Sequence, residues 1–213
     1  MQLTGRNHYD PRASPWRHYE VLKELGDRYA ALREHHKARE CYEQAAALAP
    51  DRSEPYVALG TIALQTGELL EARKFFGIAA AIDPRCAEAY GGLAMVHQQR
   101  QDYAAAFEMY LKCLEIDGDN LVALLGLFQT SCRMGTFAKI IHFLESYLVK
   151  HPGDTAVLFC LATLYARDGK LPEARQALRS VLAAEPDKAE AAEMLAKVQK
   201  ALGDARARGG HGA

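Results

Sequence analysis

Five cysteines, Cys41, Cys86, Cys113, Cys132 and Cys160, are the first residues in this chain that could carry chemistry. A thiol can act as a nucleophile, ligate a metal or form half of a disulfide. Their number is odd, their spacings are wide and no CxxC occurs, which points away from a disulfide framework and from a zinc site. All but Cys86 lie inside apolar helical pattern, where a free thiol packs as a small hydrophobe. The pair His35-His36 falls in what reads as an interhelical turn and is expected to be solvated. Asp117 and Asp119 sit in a loop, where helix capping accounts for them. No P-loop, strand-linked GxGxxG, HExxH or GxSxG occurs. The expectation is a chain that is not an enzyme and holds no cofactor or metal.

Composition restricts the partners. Hydrophobic residues make up 49% and the formal net charge is −1, so the chain has enough apolar surface to fold. The pI near 6.7 supplies no basic field for phosphate, so no nucleic-acid partner is expected. No apolar run reaches the ~20 residues that span a bilayer. The first residues lack the apolar core of a secretory signal, and the expected location is the cytoplasm without membrane insertion. Alanine is roughly one residue in six, while Val and Ile are scarce. Ala loses no side-chain entropy in a helix and β-branched residues lose some, so the chain should be all-α.

The elements come from a repeat. Pro50 and Pro84 lie 34 residues apart, as do Pro152 and Pro186, and Gly118 fills the slot between. Similar segments precede these marks: AAALAP, AAAIDP, CLEIDG, YLVKHP and VLAAEP. Recurring slots hold Leu22, Gly26, Tyr29, Ala38, Tyr42, Ala45 and Pro50, then Leu59, Gly60, Ala63, Ala72, Phe76, Ala79 and Pro84. They continue as Leu93, Ala94, His97, Ala106, Tyr110 and Cys113, and as Leu161, Ala162, Tyr165, Ala174, Leu178 and Val181. This pattern resembles the tetratricopeptide repeat, a helix–turn–helix unit of 34 residues. The resemblance implies a right-handed superhelical α-solenoid. Five units are predicted, 14–52, 53–86, 87–120, 121–154 and 155–188, after an N-terminal lead at 1–13. The fourth departs most: Phe128 and Ile140 occupy slots where small residues let paired helices touch, so these helices should sit apart or tilt. His97 fills a slot that is usually aromatic and is expected to pack.

Local signals agree. Leu22, Leu25 and Tyr29 follow a helical period. Gly67, Gly135 and Gly169 mark turns where a left-handed residue ends a helix. Ser14-Pro15-Trp16 reads as a helix start, with Trp16 covering the open end of the stack. A capping helix is expected at 189–203, resting on Ala192, Leu195 and Ala196, with Glu190, Glu193, Lys197 and Lys200 in water. Gly203 should end it, leaving 204–213 as a disordered tail.

The resemblance also locates a ligand surface, because the first helix of each unit lines the concave face in this family. The candidate peptide-binding residues are Lys23, Asp27 and Ala30; Val57, Ala58, Thr61 and Leu64; Gly91, Gly92, Met95 and Gln98. They continue as Leu125, Gly126, Gln129 and Cys132, then Phe159, Cys160, Thr163, Ala166 and Arg167. Relatives that grip chaperone carboxy-termini use a clamp of Lys, Asn and Arg. Here the clamp slots hold Lys23, Asp27, Ala58, Glu88 and Gly92, and the two acids would repel a carboxylate. Gly91 and Gly92 each cost about 0.5–1 kcal/mol in a helix, so either a ligand backbone comes close or a neighbouring helix packs tightly. The reading is an interaction scaffold or adaptor for an extended or helical, largely apolar segment of a protein partner. The alternatives are a dedicated chaperone for a secreted or assembling client, and a self-assembling structural protein, with a homo-oligomer as the occupied form.

Overall fold

The computed structural model describes residues 15–209, with side chains from 17 to 204. Among these residues the chain is all-α, with eleven helices and no strand. They run as α1 (Pro15–Ala31), α2 (His35–Leu48), α3 (Glu54–Gln65), α4 (Leu69–Ile82), α5 (Ala87–Gln99) and α6 (Tyr103–Ile116). They continue as α7 (Leu121–Met134), α8 (Ala138–Lys150), α9 (Thr155–Arg167), α10 (Leu171–Ala184) and α11 (Ala189–Gly209). Odd-numbered helices through α9 are the first helices of successive pairs, and even-numbered ones the second. The chain divides into two compact units, residues 1–96 and 97–213, with the break inside α5.

Each pair closes by one turn geometry. One residue just after the first helix must leave the right-handed region so that the chain can reverse. Gly67, Gly135 and Gly169 do so with φ of 81°, 71° and 79°. Arg33 and Gln101 take the same left-handed conformation, with φ of 59° and 61°, although they carry a Cβ. The next N–H then bonds back to the helix: Glu34 to the Tyr29 carbonyl at 2.9 Å, Glu68 to Ala63 at 2.8 Å, Asp102 to His97 at 2.9 Å and Lys170 to Tyr165 at 2.8 Å. These bonds satisfy carbonyls that the helix end leaves open. Between pairs, side chains of Asn120 and Asp154 accept from the N–H groups of Ala123 and Val157, both at 3.0 Å, and cap α7 and α9.

Packing rests on one recurring contact. The Tyr42 ring of α2 lies against Gly26 of α1, and the Phe76 ring of α4 lies against Gly60 of α3. Phe76 also presses on Gly92 of α5, where a Cβ would come within 2.3 Å of the ring. Tyr110 of α6 does the same to Gly126 of α7, at 2.2 Å. The aromatic of a second helix thus seats on backbone left bare by glycine.

Several expectations change. His35 and His36 form the first turn of α2 rather than a connecting turn, and His36 Nδ1 lies 3.4 Å from Glu40 Oε1. Asp119 caps no helix; it binds Lys150 Nζ at 3.0 Å, while Asp117 accepts from the Asp119 N–H. His97 is packed as expected and also sits 3.3 Å from the Asp102 carboxylate. Ile140 is fully buried, and α7 and α8 run close along less of their length than α1 and α2 do, as two bulky side chains require. α11 rests on Ala191, Met194, Leu195 and Val198, while Ala192 and Ala196 face solvent. The helix passes through Gly203 and ends at Gly209, because one interior glycine costs about 1 kcal/mol and the following Ala and Arg favour helix. The lead at 1–13, the Trp16 side chain and residues 210–213 lie outside what the structure describes.

The non-glycine turns generate a prediction. Arg33→Gly and Gln101→Gly should each raise stability by about 1 kcal/mol, read as a higher urea midpoint, because a left-handed L-residue carries that order of strain. Gly67→Ala should lower the midpoint.

Candidate peptide-binding site

The first helices present the predicted residues in two groups, one in each compact unit. In the first, Lys23 and Asp27 stand one turn apart on α1 and are joined at 3.0 Å. The other Asp27 oxygen accepts from the Tyr42 hydroxyl at 2.7 Å. Burial and this carboxylate both push the Tyr42 phenol up, so it stays a donor. The one clamp lysine that survives is therefore held by a neighbouring acid.

Beside this cluster lies an open pocket of about 390 Å³. Val57 and Ala58 of α3 give its apolar part, and Lys23 and Asp27 stand on the α1 side. Glu54, Asp83, Arg85 and Glu88 supply further charge. This part of the first-helix face is therefore charged. Glu54, Asp83, Arg85 and Cys86 escaped the sequence reading because they come from junctions between pairs, not from the helix faces. Their signal was position: each lies just before or at the start of a first helix.

Further along this unit the predicted residues divide. Thr61 is exposed and donates to the Val57 carbonyl at 2.9 Å. Leu64 and Val57 are half-buried against Ala63, Ala72, Phe76 and Val96. Gly91 and Met95 are half-buried, but Gly92 is buried under Phe76. Of the two reasons weighed for this glycine pair, helix packing accounts for Gly92.

In the second unit, Gln98 accepts from the Tyr110 hydroxyl at 2.7 Å and donates to Gln129 Oε1 at 2.8 Å. This ties α5, α6 and α7 together across the first-helix face. Gly126 lies buried under Tyr110, and Leu125 is half-buried beside it. Phe159 packs against the cluster of α10 and α11, with Lys188 Nζ 5.4 Å from its ring centre. Thr163 donates to the Phe159 carbonyl at 2.9 Å and reaches Met194 Sδ at 3.6 Å. Arg167 reaches back to the Cys132 carbonyl at 3.5 Å.

The electrostatics favour binding over covalent chemistry. Burial pushes the Cys86 and Cys132 thiols up, and the Cys160 thiol up to about 11. A thiol so placed is protonated near neutrality and is a poor nucleophile or metal ligand. None of the five cysteines is in a disulfide. Among the described residues no cluster of three or more His, Cys, Asp or Glu could hold a metal. No described helix is long and apolar enough to cross a membrane.

Comparison with known proteins gives this architecture a family. Models described as tetratricopeptide repeat match residues 19–52, 87–120 and 133–198. The chain belongs to the tetratricopeptide repeat family, whose repeats serve as protein–protein interaction scaffolds. It is similar to the Protein O-mannosyl-transferase TMTC1 of Homo sapiens, 24% identical over 185 residues that cover 85% of this chain and 21% of that protein. The chain thus spans about a fifth of the length of this curated relative. Among solved structures, Pseudomonas aeruginosa pilF is similar with a TM-score of 0.71 at 17% identity, covering 90% of this chain and 87% of that one. YrrB, described as a TPR protein with an unusual peptide-binding site, gives 0.65 at 15% identity, with 81% and 89% covered. At these identities the likeness to both structures is one of fold.

The seated rings make the glycines testable. Gly92→Ala and Gly126→Ala should each cost about 2 kcal/mol, because the new methyl meets a ring and forces it aside. Gly77→Ala on α4 meets nothing within 4 Å and should instead gain about 0.5–1 kcal/mol. Urea unfolding of the three variants checks both signs. A second expectation concerns pH. Burial pushes the Tyr110 phenol up to about 12. Its neutral form is favoured in the fold, so this stabilisation is complete below pH 10 and is lost as pH rises to about 12. Phenolate absorbance followed beside helicity should show Tyr110→Phe lessening that loss.

Proposed function

We propose that the chain is a non-catalytic interaction scaffold that holds an extended segment of a protein partner along the faces of its first helices. The observation carrying this reading is the open pocket beside Val57 and Ala58, bounded by paired and unpaired charges from three helices and their junctions. An apolar floor with fixed polar groups around it suits one partner side chain, with hydrogen bonds setting its direction. The peptide-binding site named for YrrB supports the same use of this fold. The transferase name of the human relative belongs to a protein about four times as long as this chain. We propose that this chain corresponds to the matched fifth of that protein and transfers no sugar.

A displayed library of random peptides tests this directly. Peptides selected on the pocket should lose at least about tenfold in affinity to Ala58→Arg, those held by the second unit should lose as much to Leu125→Glu, and neither should lose any to Leu70→Glu on the exposed side of α4. Equal binding by all four proteins would remove the first-helix face as the site. Gly92→Lys is no probe of this face, because its side chain would enter the Phe76 contact.

A further inference from the structure

The repeat lets each position of the chain be compared with its equivalents. The residues at multiples of 34 from Val21 include Ala89, Ala123 and Val157, all at most 1% exposed. The equivalents of Leu25 include Leu59, Leu127 and Leu161, at most 5% exposed. Those of Arg28 are Ile62, Val96, Thr130 and Leu164, at most 2% exposed. In these later helices the three positions form the side that packs on the helix before it. α1 has no preceding helix among the described residues, and its side is open: Val21 is 56% exposed, Leu25 38% and the nearby Leu32 67%.

A helix side that no other helix covers normally carries polar residues. α11 does so, with Glu190, Glu193, Lys197 and Lys200 exposed. α1 and Leu32, which follows its last residue and still bonds back to the Arg28 carbonyl at 3.1 Å, instead keep an apolar stripe at 21, 25 and 32, broken by Arg28 and spaced three or four residues apart, as in a helix that seats on another helix. We infer that this α1 face docks against the same face of a second copy of the chain, antiparallel, to form a two-fold dimer.

Charge selects this occupant and direction. Glu24 and Arg28 border the stripe and bond each other at 2.7 Å on the exposed surface. An antiparallel alignment sets Val21 beside Leu32 and Leu25 beside the aliphatic stem of Arg28, and it brings each Arg28 next to Glu24 of the other copy. The face is therefore its own complement, as a two-fold interface must be. A parallel alignment stacks Arg28 on Arg28 and is disfavoured. The polar side of α11 offers no apolar match, which excludes head-to-tail growth through that helix.

Light scattering after gel filtration tests the full chain over about 5–500 μM. Wild type should pass from monomer to dimer, and Leu25→Glu and Val21→Lys should each raise the dissociation constant by at least about tenfold with helicity unchanged. Leu70→Glu should leave the dimer intact. Arg28→Glu alone and Glu24→Arg alone should each weaken self-association, and an equimolar mixture of the two should restore it, because both cross-copy pairs reform. A wild type that stays monomeric throughout would overturn the inference. So would a dimer indifferent to Leu25→Glu, or a mixture that fails to recover.

Discussion

The structure depends on one contact, an aromatic ring of a second helix pressed on the bare backbone of a first helix. Phe76 is the fullest case. It touches Gly60 of its own pair and Gly92 of the next first helix, so a single side chain joins three helices. The ring supplies a large buried area, and the glycines supply the distance at which it can be buried. A glycine inside a helix costs about 0.5–1 kcal/mol of backbone entropy. Burying a phenyl ring offsets that several times over.

This contact also explains why the binding face has its particular chemistry. A tyrosine in the ring's slot carries its hydroxyl through to the first-helix face. Tyr42 delivers a donor to Asp27, and Tyr110 delivers one to Gln98. The packing residue and the polar group that orients the surface are therefore the same side chain. Phe76 has no hydroxyl, and the α3–α5 face above it holds half-buried Val57, Leu64 and Met95 instead. The first-helix face is polar beside Tyr42 and Tyr110 and apolar beside Phe76 because of this slot, which in the last two pairs holds the buried Leu144 and Leu178.

α1 and α11 each have a side that no described helix covers, and the two sides differ. A stacked helix pair exposes an apolar side wherever the stack stops. α11 meets this with one apolar stripe and an otherwise charged surface. α1 keeps an apolar side that its equivalents bury, which gives that face a structural meaning beyond scattered surface hydrophobics.

Helix positions, turns and period were legible in the sequence because each is fixed locally. Glycine at 67, 135 and 169 permits a left-handed turn whatever surrounds it, and the 34-residue spacing of prolines marks the junctions. Arg33 and Gln101 were not legible as turn residues, since their side chains do not favour that conformation and only closure of the helix pair imposes it. The end of α11 was misread for the same reason: Gly203 weakens a helix without stopping it. At the binding face the sequence placed Lys23, Asp27, Val57 and Gln98 on first helices. It did not show that Lys23 is held by Asp27, that Gly92 and Gly126 lie under rings, or that Glu54, Asp83, Arg85 and Glu88 line one pocket. Except for Lys23 and Asp27, which stand one turn apart on α1, these residues meet only when helices pack: Phe76 lies 16 positions from Gly92, as Tyr110 does from Gly126, and Glu54 lies 34 from Glu88. Residue type and spacing alone determined a tetratricopeptide stack without an evident catalytic motif; tertiary structure decided which of its faces remain open, because burial belongs to pairs of helices and not to any one of them.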